Sequence, residues 1–392
     1  MTNKYDFYDL SGTIVRYEIL ADGKMISGGR LPSFTLLPKE KKVIQIPRTI
    51  KAVEPGKEFF LNLFLETAQP YGLLDAGHVL AAEQIRLPWD IPAAATVPGN
   101  IPSVTCGETA ETATITGNEF TIAFNKVTGE MSSFIYRQLP LIERGPLPGF
   151  RRAPTDNDIG NGLYKRTKPW FDASGNRNVR SFKVIQDTDK EATVAVVYGF
   201  PGIAATETVE YRISGDATVT VTATLDPGKE KLPELPRFGM NIRIPGECRN
   251  ITWYGRGPWE NYSDRKSGAF VGLYSQSVDE QLPDYVRPQE CGYRTDVRWV
   301  TFTGPEGNGI RIKADSLIGF SALPYTADDL ASYQWGGKHL NDLLKRDFVD
   351  VNADYGQMGV GGDDSWGARV HSEYTLPANE YRYSFTLSPV NP

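Results

Sequence analysis

From Ala217 to Leu225 the chain alternates without a break between apolar and threonine side chains: Ala217-Thr218-Val219-Thr220-Val221-Thr222-Ala223-Thr224-Leu225. A period of two sends every second side chain to one face. This run therefore has to be a strand with one buried face, and it cannot build a helical stripe. Ser214-Gly215-Asp216 turns into it, and Thr206–Ile213 lies before it as an antiparallel partner. Runs of the same kind recur, bounded by turn residues. They are Ile14–Leu20, Met25–Arg30, Lys42–Ile46, Phe59–Glu66, Val79–Leu87, Phe120–Phe124, Met131–Tyr136, Ala192–Tyr198, Phe238–Ile244, Trp299–Thr303, Gly309–Ile312, His371–Leu376 and Glu380–Leu387. Asp22-Gly23 between the first two is a hairpin signal. Only Thr326–Tyr333 reads as a short helix, with Asp328 and Asp329 in its first turn. The expected fold class is all-β and antiparallel. No fixed-period repeat is visible, which argues against a propeller.

A chain of 392 residues suggests two or three domains. Pro88, Pro92, Pro98 and Pro102, with Ala93-Ala94-Ala95 among them, favour extended backbone over a ladder. The expected organisation is a small β-sandwich over residues 1–95, a Pro-rich linker over 96–109, and a large two-sheet sandwich over 110–392. Seven Trp, 19 Tyr and 18 Phe exclude a disordered chain. A net charge of −6 without a basic cluster argues against a nucleic-acid partner. No apolar run approaches the ~18 residues of a membrane span. Cys106, Cys248 and Cys291 are widely spaced, so free thiols are expected rather than a disulfide framework or a zinc knuckle. The first residues carry no basic stretch followed by an apolar run, so no signal peptide is visible. Strand-like sequence begins almost at once, as in a subunit or a piece of a longer chain. The compartment stays open between cytoplasm and periplasm.

Four segments combine aromatic, arginine, amide and carboxylate residues and break the strand pattern: 151–160, 253–265, 285–294 and 358–367. A sugar site needs these types, because a pyranose stacks its C–H face on an aromatic ring while its hydroxyls pair with charged and amide groups. The same residues also serve as a polar network bracing long loops, and residue types alone leave both readings open. Asp156-x-Asp158-x-Gly160 starts like a calcium loop, yet the sixth and twelfth positions are Asn161 and Thr167. No metal site is expected. The glycine pairs at 255 and 257 and at 359 and 361–362 lack the spacing of a phosphate loop. Of the three histidines, His371 reads as structural, in an alternating strand, while His339 in a loop is a candidate ligand contact.

Taken together these segments resemble a known family. Arg152-Ala153-Pro154-Thr155-Asp156-Asn157-Asp158-Ile159-Gly160, Gly255-Arg256-Gly257-Pro258-Trp259-Glu260-Asn261-Tyr262-Ser263-Asp264-Arg265 and Gly359-Val360-Gly361-Gly362-Asp363-Asp364-Ser365-Trp366 are similar, in the same order, to signatures of the C-terminal domain of family 2 β-galactosidases. Residues 1–95 resemble the immunoglobulin-like domain that precedes it. The resemblance implies an immunoglobulin-like sandwich followed by a galactose mutarotase-like supersandwich. It implies that the catalytic glutamates lie in a separate barrel, and that this chain is the C-terminal part or small subunit of a retaining β-galactosidase. No catalytic residue is expected in the chain, which alone should be inactive. Substrate contacts are expected from Trp366, by carry-over of the family's stacking tryptophan, with Asp364 and His339 beside it. Trp259 is expected in a structural loop. No cofactor is expected here; magnesium and sodium would belong to the catalytic domain. The partners implied are a β-galactoside and the catalytic barrel or large subunit, within an enzyme that forms homo-oligomers. A stand-alone carbohydrate-binding module and a sugar mutarotase are the alternatives.

Overall fold

The computed structural model describes all residues except 48–49, 51–52, 90, 94–98, 334–336, 365–366 and 392. The chain divides into two compact units, residues 1–97 with 271–273, and residues 98–270 with 274–392.

The first unit carries β1 (Thr13–Ala21), β2 (Lys24–Arg30), β3 (Phe59–Thr67) and β4 (Val79–Leu87), in one antiparallel sheet of order β2-β1-β3-β4. Asp22 and Gly23 both take positive φ, 45° and 77°, as a tight hairpin between twisted strands requires. Val15, Tyr17, Ile19 and Leu61 bury one face, and Phe34, Ile44 and Ile46 cover it from the β2–β3 connection. Lys42–Ile46, read as a strand, forms no ladder; its alternate isoleucines pack on the sheet face instead.

The second unit is a two-layer β structure. One layer is a sheet of order β5-β6-β7-β8-β9, formed by β5 (Thr105–Glu108), β6 (Thr112–Thr116), β7 (Phe120–Asn125), β8 (Met131–Tyr136) and β9 (Leu139–Ile142). The other contains β10 (Arg144–Gly149), β11 (Asn178–Gln186), β12 (Glu191–Gly199), β13 (Thr206–Ser214), β14 (Val219–Asp226), β15 (Arg237–Pro245), β16 (Asn250–Gly257), β17 (Phe270–Ser277), β18 (Arg294–Thr303), β19 (Gly309–Leu323), β20 (Phe348–Gln357) and β21 (Tyr381–Val390). Its main path runs β10-β15-β20-β19-β21-β14-β13-β12-β11, and β18, β16 and β17 continue from β19. The long β19 pairs Gly309–Ala314 with β21 and Gly319–Leu323 with β20, so a single strand joins two stretches of the layer.

The alternation read from the sequence is the burial pattern of β14: Val219, Val221, Ala223 and Leu225 are inside, and their threonine neighbours are half-buried. Facing residues of the smaller sheet close the core. Phe124 meets Tyr211 edge-on at 5.0 Å, and the Tyr198 hydroxyl donates to the Gly129 carbonyl at 2.7 Å. Each fully buried aromatic or aliphatic side chain contributes roughly 1.5–3 kcal/mol.

Short helices lie where no strand was expected: α1 (Asp156–Gly160), α2 (Leu163–Arg166) and α3 (Lys168–Gly175), before α4 (Ala327–Leu330). Thr155 caps α1 reciprocally with Asp158, and Thr326 caps α4 with Asp329. Pro169 sits in the first turn of α3, where its missing N–H costs nothing. Two further readings change. Trp253–Gly257 belongs to β16 rather than to a loop, and His371–Leu376 is no strand but a turn with a single 3₁₀ step at Ser372–Tyr374.

Candidate functional site

Three of the polar segments converge on the start of the fourth, at residues 357–361, from α1, from the β16–β17 loop and from the approach to β18. The centre is Arg152, whose side chain is 1% exposed. Its guanidinium donates to both Asp158 carboxylate oxygens, at 3.0 and 2.9 Å, and to the carbonyls of Met358 at 2.6 Å and Gly359 at 2.8 Å. Burial alone would lower its pKa; the Asp158 carboxylate outweighs that and raises it. Asp158 also accepts from the Thr155 N–H, so one carboxylate serves the cap of α1 and the buried arginine together. The calcium-loop resemblance thereby has a structural account in this ion pair.

Further side chains hold the same backbone. Asn157 Nδ2 donates to the Val360 carbonyl at 3.1 Å, and the Gly361 N–H donates to Asp264 Oδ2 at 2.7 Å. Gln357 Nε2 donates to Glu290, which also accepts from Arg237 at 3.1 Å; Arg237 Nε pairs with Asp354 at 3.1 Å. Burial pushes the Asp354 carboxyl up to about 7 against the pull of Arg237. Glu260 accepts from Arg265, Tyr285 and the Gly292 N–H, tying the second segment to the third. The fit tolerates no added methyl: a Cβ on Gly359 would overlap the Asp264 carboxylate.

This brace ends in a narrow neck. A Cβ on Gly362 would lie 2.7 Å from the Ala368 carbonyl, and Asp364 Oδ1 accepts from the Ala368 N–H at 3.2 Å. Gly367, at φ 119°, rests its Cα side against the Gly160 carbonyl of α1. Beyond the neck the Asp363 and Asp364 side chains face solvent. The Asp363 side chain is 81% exposed, and its Oδ1 lies 2.9 Å from His371 Nε2. The hydrogen bond to Asp363, then its charge and that of Glu373, raise the His371 pKa. A cavity of about 510 Å³ opens beside the neck, with Arg166, Glu234, Arg369 and Ser372 in its wall.

The candidate contacts read from sequence therefore separate. Asp364 is at the neck, as an acceptor for backbone. Trp366 lies outside the described residues. His339 is exposed and its N–H donates to Asp342 in its own turn, 2.8 Å away. His371, read as a structural strand residue, is instead the histidine against Asp363, because the strand that would have buried it does not form. Trp259 is 72% exposed, and it contributes to its loop through its carbonyl, which accepts from Asn261 Nδ2 at 2.9 Å. Arg152 and Asp158 were the hidden centre; the Thr155-x-x-Asp158 capping pattern was the available signal.

A family model described as beta galactosidase small chain matches residues 116–387, and one described as β-galactosidase, domain 4, matches residues 1–88. The β-galactosidase of Priestia megaterium is 40% identical over 334 residues, covering 85% of this chain and 32% of the relative. That of Lactobacillus delbrueckii subsp. bulgaricus is 33% identical over 389 residues, covering 97% and 36%. Among solved structures, a galactose 1-epimerase from Lactobacillus acidophilus aligns with TM-score 0.40 and 7% identity, over 74% of this chain and 98% of that one. The chain thus spans about a third of the length of the curated relatives it matches. With motif order, family models and relatives in agreement, this chain belongs to the β-galactosidase small-chain family and corresponds to the C-terminal region of a β-galactosidase.

Proposed function

We propose that this chain shapes and closes the substrate pocket of a retaining β-galactosidase, whose hydrolytic carboxyl groups are supplied by a separate catalytic barrel. Trp366 stacks on the galactoside, Asp364 fixes the turn that carries it, and Asp363 with His371 lines its approach. The observation that supports this reading most is the brace itself. A buried arginine, its carboxylate and three converging segments hold the backbone at 357–361, just before the exposed Asp363 and Asp364. Such an arrangement is a costly way to build a surface loop and a direct way to position a contact for a ligand.

Retaining hydrolysis needs two carboxyl groups about 5–5.5 Å apart across the scissile bond. Asp363 and Asp364 do not fit that role, since one pairs with His371 and the other with its own backbone. The purified chain should show no turnover of an aryl β-galactoside. Hydrolysis that survives repurification and disappears on mutating this chain would overturn the reading. In the complete enzyme, Trp366→Ala should raise KM with a smaller loss of kcat, because an indole transfers no proton and holds ground and transition states alike. An unchanged KM with a collapsed kcat would replace stacking by a role in positioning the catalytic groups.

A further inference from the structure

On the face shared by β10, β15 and β20, the strand register sets Arg144 directly opposite Arg243, and Arg243 opposite Asp350. Like charges directly across a ladder cost stability. Here the cost is increased by burial, which together with Arg144 lowers the pKa of Arg243. The side chains line a cavity of about 260 Å³ that Arg177 also enters.

Other positive charges at this cavity are already neutralised: Arg237 pairs with Asp354 and Glu290, and Arg151 pairs with Asp328. The three remaining arginines have no such ion pair, and Asp350 acts on Arg144 and Arg243 only at longer range. Arg144 Nη2 donates to the Asn241 amide oxygen at 2.9 Å, Arg177 donates to the Ser174 carbonyl at 3.4 Å, and Arg243 lies over the Phe348 ring at 3.6 Å. Among the described residues none of the three has a carboxylate within 4.0 Å, and the Nε atoms of Arg144 and Arg243 are buried without a hydrogen-bond partner. Buried donors without acceptors are rare and ask for a missing group. Beside them, in the next row of the register, stand Asn241 and Asn352. Their amides bond to Asp350 and to Ser321, at 3.0 and 3.1 Å.

The geometry points to a ligand site for a small hydroxylated anion such as a sugar acid or a sugar phosphate. The anionic group bridges Arg144, Arg243 and Arg177, relieving the cross-strand repulsion. Hydroxyls of the same molecule meet Asn241, Asn352 and Asp350. The cavity is smaller than the roughly 300–1,000 Å³ of drug-sized pockets, which suits a single monosaccharide.

Calorimetric titration of the full chain at low salt tests this, with galacturonate, galactose 6-phosphate, inorganic phosphate and galactose as probes. The two sugar anions should bind and galactose should not. Arg144→Gln and Arg243→Gln should each weaken that binding by about tenfold or more, as expected for a lost charge-assisted bond, while Asn352→Ala should weaken the sugar anions without affecting inorganic phosphate. Absence of binding by every anion at millimolar concentration overturns the proposal, as does binding that neither arginine variant alters. Phosphate bound as tightly as the sugar phosphate overturns its polyol half. If an arginine variant fails to fold, the wild-type titration alone still decides. Turnover of a galactoside does not enter this test, so its failure and that of the pocket reading are distinguishable.

Discussion

Arg152 concentrates more of the site than any other side chain, because one guanidinium ties α1 to two successive carbonyls of the 357–361 segment. Arg152→Ala would leave Asp158 buried without its counter-charge and Met358 and Gly359 without a donor. Breaking a buried pair from one side costs about 3–5 kcal/mol, so denaturant unfolding should show a loss of that order. Arg152→Lys should recover only part of it, since an ammonium cannot span the fork. Trp259→Ala is the contrasting case. Its indole is 72% exposed, and the change should stay within about 0.5 kcal/mol of wild type. A large loss there would restore the structural role that the sequence suggested.

At the scale of the element, Asp363 and His371 are joined by a titratable contact. His371 has a raised pKa in the folded protein, from its bond to Asp363. A raised pKa means the contact is fully present below the histidine's ordinary value near 6.5 and is lost as pH rises through the raised one. NMR titration should find the His371 ring titrating above a peptide histidine, and Asp363→Asn should return it toward the ordinary value. A ring that titrates normally in the wild type would remove the contact from the account. His371 also shows where sequence reading runs out. Alternation made β14 legible at once, because period two is a local property. The His371–Leu376 run has the same look but finds no ladder partner, and partner choice is not local. The helices at 156–175 went unread for a related reason. They are too short to show a helical period, and only the Thr155 cap and Pro169 mark them. The motif residues were visible as a set, and their convergence was not, since ties such as Asn157 to Val360 and Asp264 to Gly361 join distant parts of the chain.

Over the whole molecule the three thiols are free, with Cys248 and Cys291 buried and Cys106 half-buried. Burial pushes the Cys248 thiol up to about 11 and raises Cys291 and Cys106 as well. Alkylation of the native protein should therefore label Cys106 first, with Cys248 and Cys291 reacting only on unfolding. Thermal unfolding with and without reductant should coincide; a shift beyond about 4 °C would correspond to on the order of 1–2 kcal/mol from a covalent link that this structure lacks. The neck at Gly362 and Ala368 carries a different consequence. It separates the residues that secure 357–361 from Asp363 and Asp364. Arg152, Asp158 and Asp264 make their bonds on the near side of it, so a substitution at Asp363 or Asp364 should leave the scaffold at 357–361 in place.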